Sequence, residues 1–230
     1  MNSKKFDQEL LKITVKENYD RMMNIIDLLH QAKINYVIND KAKPYLRKAF
    51  ALGFVKACKD FNSKGYVVKI ESVYRDINLQ KELFLGRCSA IQCNYPRKNI
   101  MKIKEMANIF TAGIPIIAAH TAGAAIDITL LDMNYNSIDF GCDYRNGTSK
   151  SHTNFKKLTK KQRDNRKIMV ATMYKYNIIN YPYEYWHFSY GDICWALLLK
   201  KKFSIYKPVE FNPATNTSKY LPLKQCYNYF

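Results

Sequence analysis

The spacing of apolar residues divides the chain into helical and extended stretches. Apolar side chains recur every three or four positions over 7–32, which predicts an amphipathic helix. Helices are also expected over 44–62, which begins at Pro44, over 77–85 and over 159–176. The sequence therefore predicts four helices, the first of them close to the N-terminus.

Other stretches have the residue types of strands. Residues 66–74 are rich in β-branched and aromatic side chains, and 184–190 is expected to be a further strand. A central β region is predicted over 113–131, followed by a polar, irregular stretch over 134–153. Helices that flank a small antiparallel sheet define an α+β fold.

No internal repeat or low-complexity linker interrupts the 230 residues. A chain of this length can bury a substantial core in one domain. We therefore expect a single domain over 1–230, with its core at about 45–200. The helix over 7–32 would precede that core, and the Pro-, Asn- and Tyr-rich segment 208–230 would form a tail along the surface.

The composition is that of a globular protein, with 47% hydrophobic and 24% charged residues. No apolar stretch approaches the ~18 residues that span a bilayer, so we expect no membrane span. Asp7, Glu9 and Glu17 stand where a secretory leader would be cationic and then apolar. The six cysteines include no C-x-x-C pair and are expected to be reduced. These features predict a cytoplasmic protein, or a periplasmic one if a leader precedes this sequence.

The formal net charge of +18 has two interpretations. An AT-rich genome would raise the lysine content together with Asn, Ile and Tyr, without any binding role. Alternatively, clusters such as Lys160–Arg163 and Lys200–Lys202 would attract nucleic acid, anionic lipid or an acidic cell-wall polymer. Because no zinc-finger, RNP or P-loop pattern accompanies these clusters, no specific nucleic-acid partner is expected.

Two histidines and an aspartate stand out as candidate metal ligands. His120 and Asp127 lie in one run of small residues, and His187 lies much further along the chain. Two imidazoles and one carboxylate suit Zn²⁺ with one position open for water, which is the pattern of catalytic sites. Glu184, three residues before His187, is a spare carboxylate that could move the protons of that water.

The local sequence explains how these residues could meet. Gly123 allows a tight reversal, so a strand ending at His120 and a returning strand with Asp127 would face the same site. Ile126 and Ile128 flank Asp127, and a lone carboxylate there is costly to bury unless it is paired or bound to metal. His120 taken alone would be interpreted as a hydrogen-bonded core histidine.

The same residues resemble a known family. The run Ala118–Asp127 is similar to the S-x-H-x-x-G-x-A-x-D signature of the zinc D-Ala-D-Ala metallopeptidases, whose fold also occurs in lysostaphin-type and Hedgehog-type domains. The segment Asn180–Asp192 looks very like the end of the D-alanyl-D-alanine dipeptidases, and Asn165–Arg166 also fits that branch. The resemblance covers roughly Tyr45 to Ala196.

The resemblance implies a role for each site residue. His120, Asp127 and His187 would bind one catalytic Zn²⁺. Glu184 would take a proton from the attacking water and hand it to the leaving amine. Arg75 matches the family arginine that steadies the carbonyl oxygen as it becomes an oxyanion, a role that suits a guanidinium that is always charged.

The chain also departs from the dipeptidase pattern. Ala118 replaces the signature serine, and Gln80, five residues after Arg75, is closer to the D,D-carboxypeptidase branch. Dipeptidases have an aspartate that holds the free amine of the dipeptide, and Arg145 occupies the matching position here. Asp143 lies two residues earlier and is the candidate substrate-binding residue in its place.

Taken with the candidate zinc ligands, the resemblance implies zinc-dependent hydrolysis of the D-alanyl-D-alanine dipeptide in bacterial cell-wall metabolism. The first alternative is a D,D-carboxypeptidase that trims peptidoglycan stem peptides. The second is a non-catalytic, zinc-stabilised domain that binds cell-wall polymer, and the presence of Glu184 and Arg75 argues against it. The expected partners are small D-amino-acid peptides and peptidoglycan fragments.

Overall fold

A computed structural model of the chain describes residues 3–109, 111–146 and 148–230. The described residues contain helices and short strands in alternation. The helices are α1 Ser3–Leu10, α2 Ile25–Gln31, α3 Lys48–Ser63, α4 Ile77–Asn94, α5 Ile100–Asn108, α6 Lys160–Tyr174, α7 Ile193–Leu198 and α8 Leu223–Cys226. The strands are β1 Met22–Asn24, β2 Tyr36–Ile38, β3 Tyr45–Arg47, β4 Tyr66–Ser72, β5 Ala125–Asp132, β6 Ile179–Asn180, β7 His187–Ser189, β8 Val209–Asn212 and β9 Thr217–Tyr220. Two 3₁₀ helices lie at Ala119–Ala122 and Ser149–Ser151.

The chain forms two compact units, and the predicted α+β class is confirmed. The first unit consists of Met1–Tyr19, Arg75–Gly123 and Gly191–Phe230. The second consists of Asp20–Tyr74 and Ala124–Tyr190. Within the described residues, no helix combines the length and the apolar character needed to cross a membrane.

The second unit is built on a five-stranded sheet with the order β2-β4-β5-β7-β6. The β2–β4 pair is parallel and the other pairs are antiparallel, so the sheet is mixed at one edge. The register of β4 against β5 shifts between Ile70 and Ser72. Ser72 then lies opposite Asp127, near the start of β5.

Helix α3 supplies much of the core of the second unit. Phe50, Phe54 and Phe61 recur at helical spacing and are fully buried. They belong to one apolar cluster with side chains of the central strands, including Ile70 and Ile128. Burial of such large apolar side chains is the main favourable term in folding, so this face of α3 fixes the sheet that carries the site.

The first unit contains a smaller core between α4 and α5. It consists of Phe84, Cys88, Ile103 and Ala107, against which Tyr229 and Phe230 pack. Gly113 approaches this core so closely that an added Cβ would lie 2.2 Å from the Phe84 ring. A residue with a side chain would therefore displace the ring, which explains the glycine.

The prediction of one helix over 7–32 is wrong. Helix α1 ends at Leu10, and the following segment is extended, with Val15 bridged in parallel to Ser204. The Lys16 backbone N–H donates to the Ser204 carbonyl at 2.9 Å. This backbone pairing competes with the helical pattern, and a second helix, α2, starts only after the Asn24 side chain accepts from the Ile26 N–H.

Other elements differ from the prediction mainly at their ends. The helix expected over 44–62 begins at Lys48, because β3 pairs with β1. The strand expected over 66–74 is confirmed as β4, and the helix over 159–176 as α6, which a Thr159–Gln162 capping box begins. The helix over 77–85 continues to Asn94.

Two remaining predictions concern irregular segments. The stretch 134–153 is irregular except for the second 3₁₀ helix, and its Gly147 lies outside the described residues. The predicted tail 208–230 is more ordered than expected, since β8 and β9 pair as an antiparallel hairpin and α8 follows them. Helix α5 was not predicted.

Candidate metal centre

Strands β5 and β7 place Asp127 directly opposite His187. Asp127 Oδ1 lies 3.0 Å from His187 Nδ1. The side chain of Asp127 is 4% exposed and that of His187 is 15% exposed. A carboxylate buried to this degree needs a partner that compensates for lost hydration. The two side chains therefore form a buried pair whose position is fixed by the register of the strands.

Glu184 lies in a turn immediately before β7, and the strand predicted over 184–190 is confirmed only from His187 to Ser189. The side-chain amide of Asn180 holds this turn, because it donates to the carbonyls of Glu184, Tyr185 and His187 at 3.0–3.2 Å. Glu184 Oε2 lies 3.9 Å from His187 Nδ1, and its side chain is 31% exposed. Such a carboxylate is close to the candidate ligand yet open to water, as a general base must be.

His120 lies in the first unit, on the 3₁₀ helix Ala119–Ala122, and is buried. The strand expected to end at His120 is therefore absent, and the central β region over 113–131 is confirmed only for β5. Gly123 ends the 3₁₀ helix with φ of 62°, a left-handed conformation that glycine adopts without strain. This turn leads directly into β5, so a glycine turn is present as expected, but it joins a 3₁₀ helix to a strand rather than two strands.

Arg75 contacts the same short helix within the first unit. Its backbone N–H donates to the His120 carbonyl at 3.2 Å. Its Nη1 donates to Gln80 Oε1 at 3.3 Å, and the buried Gln80 amide donates to the Ala112 carbonyl at 2.8 Å. Asp76 caps α4 by accepting from the Leu79 N–H. The guanidinium is thus held by a side chain that is itself fixed.

The three candidate ligands are divided between the two units. Asp127 and His187 form their buried pair within the second unit, and His120, in the first unit, is the third candidate ligand. Two imidazole nitrogens and one carboxylate oxygen are a donor set that suits zinc and leaves a coordination position open.

Tyr144 is a residue of the site that the sequence did not reveal. Its hydroxyl donates to Asp127 Oδ2 at 2.9 Å. Its ring meets Trp186 edge to face at 5.5 Å between centroids. An aromatic residue in an otherwise polar stretch was the available signal, but nothing in the sequence indicated which side chain it would contact.

The two neighbours of Tyr144 in the chain, Asp143 and Arg145, are charged and make different contacts. Asp143 is exposed, and its carbonyl accepts from the Asn146 N–H. Arg145 has a left-handed backbone, with φ of 60°, and its guanidinium carbon lies 5.0 Å from the centre of the Tyr144 ring. Arg145 thus stacks on the residue that contacts Asp127, whereas the substrate role of Asp143 stays a prediction.

Arg166 holds this loop from within the second unit. It is 1% exposed and donates to the carbonyls of Phe140, Lys150 and His152. Its guanidinium carbon lies 4.4 Å from the centre of the Tyr185 ring. Burial lowers the pKa of Arg166, but arginine starts so high that it remains charged at any physiological pH.

His152 lies beside the site without joining the candidate ligands. Its ring meets Tyr183 edge to face at 5.1 Å between centroids. Burial, and then the nearby positive charge of Arg166, lower the pKa of His152. The lowered pKa favours the neutral imidazole, and the ring contacts Tyr183, the residue before Glu184 in the chain.

Two solved structures are similar to this chain at low sequence identity. One is the LdcB LD-carboxypeptidase, with 19% identity, a TM-score of 0.48, and coverage of 81% of this chain and 77% of that one. The other is the vancomycin resistance D,D-pentapeptidase VanY from the VanB-type cassette, in complex with Zn(II). It shows 13% identity, a TM-score of 0.44, and coverage of 75% of this chain and 89% of that one.

Sequence comparison gives a clearer result. A D-alanyl-D-alanine dipeptidase from Synechocystis sp. (strain ATCC 27184 / PCC 6803 / Kazusa) is 31% identical over 88 residues. The match covers 34% of this chain and 36% of that protein, so the chain spans only about a third of the length of the relative. The model of the Peptidase M15 family, described as D-ala-D-ala dipeptidase, matches residues 31–207, which is most of the chain. The chain therefore belongs to the Peptidase M15 family.

Proposed function

We propose that this chain is a zinc-dependent peptidase that hydrolyses peptides ending in D-alanyl-D-alanine, with the free dipeptide as its first substrate. The observation that supports this most is the position of Glu184, whose carboxylate is partly exposed. Its Oε2 atom lies 3.9 Å from Nδ1 of His187, which belongs to the buried Asp127–His187 pair. A purely structural zinc site needs no such carboxylate. Membership of the Peptidase M15 family, whose description names this dipeptide, supports the substrate.

His120, Asp127 and His187 would hold the ion in this proposal. Bound zinc polarises a carbonyl oxygen and lowers the pKa of water, which allows hydrolysis near neutral pH. The hydrogen bond from Tyr144 and the register of β5 against β7 keep the Asp127 carboxylate in place for this task. Neutral imidazoles are required as ligands, so zinc affinity will fall as the histidines become protonated at low pH.

Glu184 would act as the general base and then as the general acid. Its carboxylate accepts a proton from the attacking water and delivers that proton to the nitrogen of the leaving D-alanine. The Asn180 amide fixes the backbone on both sides of Glu184, so the carboxylate stays near His187. This arrangement limits the reorganisation needed during the reaction.

Arg75 would stabilise the negative charge that develops on the carbonyl oxygen. A guanidinium held in advance by Gln80 can meet that charge without moving. The contribution of Arg75 would therefore appear in the transition state rather than in ground-state binding.

D,D-carboxypeptidase activity on longer stem peptides is the second candidate, and Arg145 is the observation that favours it. Its guanidinium stacks on Tyr144, the residue that donates to Asp127. A cation in this position disfavours the free ammonium group of a dipeptide, and it tolerates a substrate whose amine is part of a peptide bond.

A comparison of substrates tests the proposal. Hydrolysis of D-Ala-D-Ala and of a stem pentapeptide would be measured through the D-alanine that is released. Each assay would be run without a chelator, with a chelator, and with zinc added back. We expect chelator-sensitive release from at least one substrate. Faster cleavage of the pentapeptide would select the carboxypeptidase, and zinc binding without cleavage of either peptide would contradict the proposed function.

A further inference from the structure

Asp127 uses both oxygens of its carboxylate for contacts within the second unit. Oδ1 lies 3.0 Å from His187 Nδ1, and Oδ2 accepts from the Tyr144 hydroxyl at 2.9 Å. The carboxylate is almost completely buried. An oxygen that water cannot reach needs a hydrogen bond from the protein, because a buried charge without one is costly. Tyr144 meets that need for Oδ2.

The ring of Tyr144 is held on two sides. Trp186 contacts it edge to face, and the Arg145 guanidinium lies over it at 5.0 Å. The Trp186 backbone carbonyl in turn accepts from the Ile128 N–H, next to Asp127 on β5. The hydroxyl is therefore fixed by the same pair of strands that places the carboxylate, so donor and acceptor cannot easily separate.

We infer that Tyr144 is a positioning residue for the metal ligand Asp127 and sets the affinity of the site for zinc. With Oδ2 engaged by Tyr144, the carboxylate presents Oδ1 towards the imidazole side of the site in one orientation. Without the hydroxyl, Oδ2 would be buried without this donor and the carboxylate could rotate. Removing a hydrogen-bond partner of a metal-ligating side chain typically lowers metal affinity by about 10- to 100-fold.

The inference rests on the proposed ligand set, and the Tyr144→Phe variant tests it. This change removes only the hydroxyl and keeps the ring between Trp186 and Arg145. The zinc dissociation constant would be measured on the whole chain by competition with a chromophoric chelator. We expect zinc to bind about 10-fold more weakly than in the unmodified protein. The thermal unfolding temperature of the zinc-free protein would be measured in parallel.

Tyr185→Phe is the matched control. The Tyr185 hydroxyl donates to the Cys142 carbonyl, so it ties the same loop but makes no hydrogen bond to Asp127 among those described. We expect this control to lower the unfolding temperature while leaving the zinc dissociation constant within about twofold of the original. An equal loss of zinc affinity in both variants would mean that loop integrity, not the contact with Asp127, sets the affinity.

The outcomes separate this inference from the proposed function. An unchanged dissociation constant in Tyr144→Phe would overturn the inference even if the peptidase activity is established. A 10-fold higher zinc dissociation constant in Tyr144→Phe would support the inference even if neither peptide is cleaved. If the unmodified protein binds no zinc, the ligand set itself is wrong, and both the inference and the proposed function fall.

Discussion

Asp127 and His187 face each other across the β5–β7 pair, although 60 residues separate them in the chain. Their relative position is set by backbone hydrogen bonds rather than by flexible loops. A one-residue slip of β7 would turn His187 to the other face of the sheet, because side chains alternate along a strand. The metal site and the folding of this sheet are therefore linked.

The His120→Ala variant tests the ligand set. Elemental analysis should find about one zinc per chain in the unmodified protein, the usual content of such a site. The variant should lose it, because two protein ligands hold zinc much less tightly than three. His30→Ala is the control, since His30 bonds the Tyr36 hydroxyl instead. Full zinc occupancy in His120→Ala would remove the central proposal.

Glu184→Gln tests the general base. The amide has nearly the same shape, so the turn held by Asn180 should persist and zinc should still bind. We expect the rate of dipeptide hydrolysis to fall at least ~100-fold, the usual effect of deleting a general acid-base group. Glu82→Gln, on the exposed face of α4, serves as the control. A near-normal rate with zinc bound would show that another group activates the water.

Arg75→Lys tests oxyanion stabilisation. Lysine keeps the charge but loses the planar fork that donates to Gln80. We expect kcat to fall more than KM rises, because the interaction is made mainly in the transition state. Steady-state kinetics at saturating zinc provide the measurement. A change confined to KM would instead make Arg75 an anchor for the substrate.

Asp143→Asn tests which residue recognises the free amine of a dipeptide. If Asp143 holds the ammonium, the variant should cleave D-Ala-D-Ala ~10-fold more slowly, the scale of one charge-assisted hydrogen bond. N-acetylation of the dipeptide should have a similar effect on the unmodified enzyme. If the acetylated dipeptide is cleaved faster than the free one, the carboxypeptidase function is favoured and Asp143 has no such role.

Asp7→Asn tests a partly buried carboxyl in the first unit. Burial, partly offset by a hydrogen bond from Asn108, raises the pKa of Asp7 from 3.8 to about 6. The folded state therefore binds more protons than the unfolded state between these values, and its stability falls as pH rises through that window. Asparagine removes this penalty and still accepts from Asn108.

The expected gain in the free energy of unfolding follows from the size of the pKa shift of Asp7. At pH 7.5 the Asp7→Asn variant should have a free energy of unfolding higher by up to about 3 kcal/mol, and at pH 5 by roughly half of that. Urea unfolding of both proteins at both pH values gives the difference, in which effects of zinc common to both cancel. A gain that does not shrink at pH 5 would contradict the raised pKa.

Most residues of the candidate site could be proposed from the sequence because they lie in two short, distinctive runs. His120 and Asp127 have the spacing of ligands around a glycine turn, and Glu184 and His187 are three residues apart. Tyr144 could not be found in this way. Its contact with Asp127 depends on where an irregular loop folds back, and no local pattern encodes that path.

The fold was less predictable where non-local pairing overrides local preference. Residues 11–21 have apolar positions compatible with a helix, yet backbone pairing with Ser204 makes this segment extended. Similarly, Tyr45–Arg47 forms a strand only because Met22–Asn24 lies beside it. Such partners are distant in sequence, so periodicity cannot reveal them. Helices with strong local signals, such as α6 with its Thr159 cap, were predicted well.

The buried guanidinium of Arg166 has a consequence for how the site responds to acid. Arg166 holds the loop that carries Tyr144 by donating to backbone carbonyl oxygens of that loop. Neither the guanidinium nor a carbonyl oxygen gains or loses a proton in the physiological range. Acidification that protonates the histidine ligands should therefore release the metal while leaving the loop in place. Return to neutral pH should restore the site quickly, since the loop does not have to refold first.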